Sequence, residues 1–146
     1  MSDQLVLRVI TKMMIPFILV FGLYVITHGE LGPGGGFQGG AILAAAVIVY
    51  SLMFGVEAGK RLVPPRALDT CMVCGVGLFI GVGAYAAATG YVFLDYTALQ
   101  PAHPAHAEPW GMTLVEYGVG MTVASVMVTI FNKIADQRKD GDVGHV

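Results

Sequence analysis

Four apolar stretches, each close to the length of a bilayer-crossing helix, fix most of what this 146-residue chain can become. They run from about residue 5 to 27, 37 to 55, 69 to 91 and 112 to 134. A span needs about 20 predominantly apolar residues, so four occupy about 80 and leave roughly 65 for loops and tails. None shows the period-two alternation of barrel strands. These stretches predict a single all-α membrane domain over residues 1–134, with four transmembrane helices, and a polar tail at 135–146. Pro16 lies within the first turns of the first stretch, where a membrane helix accepts it as a start or a mild kink.

Composition agrees. Only 12% of residues are charged, against about 25% in an average soluble domain. A disordered chain is thereby excluded and a soluble domain disfavoured. Eight basic residues against ten acidic ones give a net charge of −2, which excludes a basic nucleic-acid binder. Arg8 and Lys12 before an apolar stretch imitate a secretory signal. No small-residue cleavage pattern follows them, however, and three more apolar segments do.

The few charges are sorted along the chain. Arg8 and Lys12 precede the first stretch, Lys60, Arg61 and Arg66 lie between the second and third, and Lys133, Arg138 and Lys139 come at or after the end of the fourth. The other two connections, 27–36 and 91–110, contain no Lys or Arg. With four spans, every basic residue falls on one side, and the positive-inside rule predicts both termini in the cytoplasm. Tyr24, Tyr91, Phe93, Tyr96 and Trp110 cluster near the opposite ends, as an aromatic belt does. The loop from 91 to 110 carries Pro101, Pro104 and Pro109 and has little helical signal. It is expected to lie across the outer surface, and the tail from Asp136 onward to be mobile.

Small residues mark helix faces. In the third stretch Gly77, Gly81, Ala84 and Ala88 share one face and include a GxxxG pair. Gly118, Thr122, Ser125 and Thr129 repeat the spacing in the fourth, and Gly40, Ala44, Val47 and Ser51 more weakly in the second. Such faces let helix backbones approach closely, either within this bundle or against a partner subunit.

Glu116 is the one acid clearly inside a predicted span. A charge at the centre of a membrane helix costs about 2.5–3.5 kcal/mol on insertion scales, which makes such a residue a functional candidate. It lies about 160° around the helix from Gly118 and beside Gly120. If the Gly118 stripe packs inside the bundle, Glu116 is expected to face a partner or a water-filled seam. The bland alternative is a carboxylate in the headgroup zone. The remaining polar residues have simpler readings. Glu57 is a surface partner for Lys60 or Arg61, Asp69 or Thr70 is a helix cap, and Asp95 and Glu108 are solvated loop acids. Cys71 and Cys74 form a lone CxxC in one helix, and His103 and His106 sit three apart in a loop. Neither pair has the further ligands a metal site needs. No nucleophile–base pair, paired carboxylates or cofactor fingerprint can be assembled, so no catalytic site, metal or cofactor is expected.

Between the first two spans the chain reads His28-Gly29-Glu30-Leu31-Gly32-Pro33-Gly34-Gly35-Gly36-Phe37-Gln38-Gly39-Gly40. This is a turn running into a helix start, whose free N–H groups carry partial positive charge and which Glu30 could cap. The glycine run also lets the backbone approach another chain or an ion. It is not a phosphate-binding loop, since the lysine and the preceding strand are missing.

The stretch resembles the G-H-x-x-P-G-G-G-F-x-G-G signature of the MnhB family, one of the small membrane subunits of Mrp-type Na⁺/H⁺ antiporters. Pro33, Gly34, Gly35, Gly36, Phe37, Gly39 and Gly40 match its core. Glu116-Tyr117-Gly118-Val119 is similar to the family's D-x-G-V segment, with glutamate for aspartate. The likeness extends over about Leu5 to Ile134. One departure is that Glu30 stands at the motif's histidine position, with His28 two residues earlier. The resemblance implies a non-catalytic subunit in the inner membrane of a prokaryote. It would sit among larger antiporter-like membrane subunits in a complex that exchanges Na⁺ for H⁺, with Glu116, Glu30 and His28 bordering the ion path or a subunit contact. The alternative it implies is the Mrp-like module of a redox-driven respiratory complex such as an energy-converting hydrogenase, whose members the glutamine at position 38 resembles. A homo-oligomer held by the GxxxG face is a third possibility, independent of the family.

Overall fold

A computed structural model describes the backbone of residues 2–29, 33–99 and 104–143, and the side chains of 5–29, 33–99 and 108–138. Helix α1 covers Ser2–Thr27, α2 Gly36–Phe54, α3 Val56–Leu62, α4 Pro65–Ala88 and α5 Pro104–Val143, and a 3₁₀ turn at Tyr96–Leu99 lies between α4 and α5. Among the described residues there is no strand. Four of the helices are long and apolar enough to cross a bilayer, over Leu5–Thr27, Gly36–Phe54, Pro65–Ala88 and Glu108–Arg138. The all-α, four-span architecture is therefore the observed one.

The boundaries differ from the sequence-based ones in ways with local causes. The third span begins at Pro65 rather than 69, because Pro64 and Pro65 supply an extended cap and a first helical residue with φ already fixed. Asp69 and Thr70 are consequently inside the helix and do not cap it. Thr70 Oγ1 instead donates to the Arg66 carbonyl at 2.8 Å. The span ends at Ala88, where Gly90 turns with φ 87°. Helix α2 stops at Gly55, in the left-handed region at φ 98°, and α3 follows at once.

The fourth span is the centre of a 40-residue helix, about 60 Å long at 1.5 Å per residue and longer than a bilayer is thick. It starts in the proline-containing segment expected to be non-helical. Pro104 is its first residue, and Pro109, within the first two turns, removes one backbone bond. At the far end it continues to Val143, through most of the tail expected to be mobile. The outer loop folds back on the bundle. The Asp95 carboxylate accepts from Thr97 N at 3.0 Å and Thr97 Oγ1 at 2.6 Å and so organises the 3₁₀ turn, rather than being simply solvated. The Phe93 ring packs on Gly83 and the Tyr96 ring on Gly111.

Helix α5 lies between α2 and α4, and α1 packs on the other side of α2. Each of the three main crossings is a place where two glycines meet. A Cβ built on Gly39 of α2 would lie 2.7 Å from the Gly22 carbonyl oxygen of α1. One built on Gly40 would lie 2.6 Å from the Gly120 oxygen of α5, and one on Gly75 of α4 would lie 2.5 Å from the Gly118 oxygen. Without side chains at these points the backbones come together, which is how helices associate in a medium as apolar as their own side chains. Few apolar side chains are buried among the described residues: one knot has Ala44, Leu68 and Val128 at its centre and Val47, Ile48 and Val63 around it, and Ile26, Ala46, Val82, Ala86 and Ala98 are buried at the helix contacts and the outer turn. Most large apolar side chains of α1, including Phe17, Val20 and Phe21, point outward, as suits contact with lipid.

Candidate functional site

Helices α2 and α5 run parallel, with Gly36 beside Glu116 and Gly40 beside Gly120 one turn later. This register brings Glu116 to the start of α2. Immediately before that start, α1 ends at Thr27, whose hydroxyl donates to the Leu23 and Tyr24 carbonyls. His28 stacks its ring on Tyr24, with centroids 5.1 Å apart and planes at 17°. Gly29 follows. The chain returns at Pro33, and Gly35 N–H donates to the Val25 carbonyl at 3.0 Å, tying the turn to the last turn of α1. Gly35 caps α2 with φ 121° and ψ 174°, a conformation that only glycine adopts readily.

The Glu116 carboxylate occupies the hollow this turn leaves. A Cβ built on Gly29 would lie 2.6 Å from Oε2 and closer still to Oε1, and one on Gly35 would lie 3.4 Å from Oε1. A Cβ on Gly36 would strike the Glu116 backbone carbonyl. Ile26, 2% exposed, is packed against Gly39 and Gly120, one turn along from the carboxylate on α2 and α5. The carboxylate is thus at the N-terminal end of α2, where the first N–H groups have no partner within the helix and favour negative charge.

The sequence motif and the acid, 80 residues apart, therefore form one place. Gly34, Gly35 and Gly36 line it or support it, and His28 adjoins it. Pro33 and Phe37 are exposed beside it. Glu30 lies outside the described residues. One expectation is corrected: the Gly118 stripe does pack inside the bundle, against Gly75, yet Glu116 faces this chain's own glycine turn instead of turning away from it. The opposition of the two faces on α5 is satisfied by having a helix on each side, α4 on one and α2 on the other.

Gly77 and Gly81 have nothing within 4 Å of a built Cβ, and Ala84 is exposed with them. Among the described residues nothing packs on this face. The contacts missed by reading the sequence were those of Gly22, Gly29 and Gly75. The four-residue steps Gly36–Gly40 and Glu116–Gly120 carried a usable signal for the α2–α5 register. Thr122, Thr129 and Ser51 donate their hydroxyls back to carbonyls four residues earlier and so pack as small residues without bonding across helices.

A second polar cluster sits at the opposite end of the bundle. Lys60 of α3 donates to Asp136 Oδ1 of α5 at 2.6 Å and lies 3.7 Å from Glu57. The bond to Asp136, with attraction from both acids, raises the Lys60 pKa above its usual 10.5, against a smaller opposing effect of desolvation. Glu57 pairs with Lys60 as expected, but Asp136 is the closer partner. Among the described residues no group of three or more His, Cys, Asp or Glu side chains could hold a metal ion. Cys71 is half-buried, Cys74 is exposed, and both are free thiols.

Four apolar spans and a half-buried carboxylate set against a glycine turn define a multi-pass helical membrane protein. Comparison with known proteins places it more closely. Residues 6–129 match the family model described as a domain related to the MnhB subunit of Na⁺/H⁺ antiporter. The chain is similar to the putative antiporter subunit mnhB2 of Staphylococcus epidermidis, with 33% identity over 140 residues, 94% of this chain and 98% of the relative. It is also similar to a Na⁺/H⁺ antiporter subunit of Bacillus subtilis, with 26% identity over 140 residues, 93% and 96% of the two chains. The chain belongs to the MnhB family.

Proposed function

We propose that this chain is a membrane subunit of a multi-subunit cation/proton antiporter complex of Mrp type, without a catalytic site of its own, and that Glu116 and the glycine turn border the path of Na⁺ and H⁺. The observation that carries the proposal is the seating of the Glu116 carboxylate against Gly29 and Gly35. Ionisable residues within membrane spans are rare and mark ion or proton paths more often than plain packing positions. A carboxylate can hold a proton or ligate a hard cation with its oxygens, and exchange one for the other. Glycines around it let the ion approach backbone carbonyls without a side chain intervening. The N-terminal end of α2 moderates the affinity by favouring the ionised acid.

The naming of the relatives as antiporter subunits supports the antiporter reading over a redox-driven complex. The outward face of Gly77, Gly81 and Ala84 is assigned to a neighbouring subunit, since close packing at small residues is what joins membrane helices and the chain's own helices leave this face uncovered. Both termini are assigned to the cytoplasm and the bundle to the inner membrane of a prokaryote, on the placement of the basic residues.

Purification from native membranes through a tag on this chain tests the assignment. Co-isolation of several larger antiporter-like subunits is the expected result. A homo-oligomer of this chain alone would contradict it, as would a preparation carrying redox cofactors.

A further inference from the structure

All four spans contribute to an open apolar cleft of about 260 Å³, to which α1 brings Leu19, α2 Ala44, α4 Cys71 and α5 Met121, Ala124 and Ser125. Ser125 supplies the only hydroxyl of this lining. Its residue is 3% exposed, and among the described residues the hydroxyl has no hydrogen-bond partner. Thr122 and Thr129 of the same helix instead donate back to carbonyls four residues earlier. A buried hydroxyl left without a partner carries a free-energy cost. Water does not relieve it here, since a bound water needs two or more polar partners and the lining offers one hydroxyl among apolar side chains.

We propose that this cleft receives a membrane helix of a neighbouring subunit, which sets a polar side chain against Ser125. The depth of the hydroxyl selects this occupant. Ser125 lies near the middle of the span Glu108–Arg138, about 12 Å along the helix from Lys133. At that level a lipid offers only acyl chain, which neither donates nor accepts a hydrogen bond, so a lipid in the cleft leaves Ser125 as it is. A helix can bring Ser, Thr, Asn or Gln to the same point, the side chains that bond across helices in membranes. The small residues Ala44, Ala124 and Ser125 let such a helix approach closely. The surface is distinct from the Gly77 face. On α4, Gly77 lies about 180° around the helix from Leu68, which lines the cleft. The chain thus has partners on two opposite sides. This inference rests on the reading of the chain as a subunit of a hetero-oligomeric complex.

The test places a photoreactive diazirine side chain at position 121, in the cleft, and illuminates the complex in its native membranes before mass spectrometry of the cross-linked species. The expected product joins this chain to a membrane-spanning peptide of a different subunit that carries a polar residue at mid-depth. A product with phospholipid, a product with a second copy of this chain, or no protein product would overturn the proposal. Ser125→Ala is expected to lower recovery of the other subunits about threefold, the worth of one hydrogen bond across membrane helices, while the isolated chain melts as before. Ala124→Leu, which fills the cleft, is expected to lower recovery about tenfold or more. Normal recovery with both substitutions would also overturn it. A chain that isolates without other subunits overturns the antiporter-subunit reading and this inference together, whereas a lipid product within an intact complex overturns this inference alone.

Discussion

Glu116 on α5 and Gly29 after α1 are 87 positions apart in the chain, yet the carboxylate rests where a side chain on Gly29 would be. The missing Cβ is what admits the acid. A prediction follows for Gly29→Ala. The added methyl overlaps both carboxylate oxygens and must move the acid out of the hollow. In the assembled complex this variant is expected to lose ion exchange about as far as Glu116→Gln does, with the subunits still co-purifying. Exchange at the unmodified rate would show that the position of the carboxylate is unimportant.

Gly35→Ala should act differently, through the backbone. At φ 121° and ψ 174° a residue with a Cβ is strained, at a cost of about 1–3 kcal/mol. The expected outcome is a lower melting temperature of the purified chain, by several degrees. An unchanged melting temperature would mean that the turn readily takes another conformation.

Glycines at the crossings and glycines on the outer face should separate cleanly. Gly40→Leu and Gly75→Leu each drive a side chain into a facing backbone and are expected to prevent folding or lower stability by several kcal/mol. At Gly77 a Cβ would meet nothing within 4 Å, so Gly77→Leu should leave the isolated chain folded and stable. If the assignment of that face to a neighbour is right, Gly77→Leu instead reduces recovery of the complex. Measuring melting of the chain and yield of the complex in parallel checks both.

Lys60 and Asp136 tie α3 to α5, with side chains 21% and 43% exposed. A pair this accessible contributes about 0.2–1 kcal/mol, so Lys60→Ala should lower stability only slightly. The pH dependence has a definite sign. Because the folded pKa of Lys60 is raised, its contribution is fully present below the unfolded value of 10.5 and is lost as pH rises through the folded value. Melting followed upward from neutral pH should therefore show the unmodified chain losing its advantage over Lys60→Ala only in the alkaline range.

How much of this was readable in the sequence depends on whether the determining contact is local. The four spans are local properties of apolar runs, and they emerge as expected. The boundary at Pro65 was also within reach, since two adjacent prolines favour an extended residue followed by a helix start. The extension of α5 to Pro104 and Val143 was not, because Pro104 and Pro109 read as loop signals and the polar, glycine-containing stretch 135–143 reads as a tail. At the distal end, Asp136 is held by a lysine 76 positions earlier in the chain. The glycine turn and Glu116 could each be singled out from sequence, whereas their juxtaposition could not. The parallel register of α2 and α5 depends on which helix lies between which, and no spacing within one segment encodes that. The face on which Glu116 lies was correctly opposed to Gly118, but having α2 on that side turns an outward-facing acid into an inward one.

The most direct test of the central claim is Na⁺-driven proton movement in inverted membrane vesicles carrying the complete complex, with Glu116 unmodified or replaced by Gln. Glutamine keeps the size of the side chain and removes its capacity to hold a charge or exchange a proton. The account predicts that Glu116→Gln lowers exchange by about tenfold or more while the complex assembles to its normal yield. Unchanged exchange with unchanged assembly would contradict it.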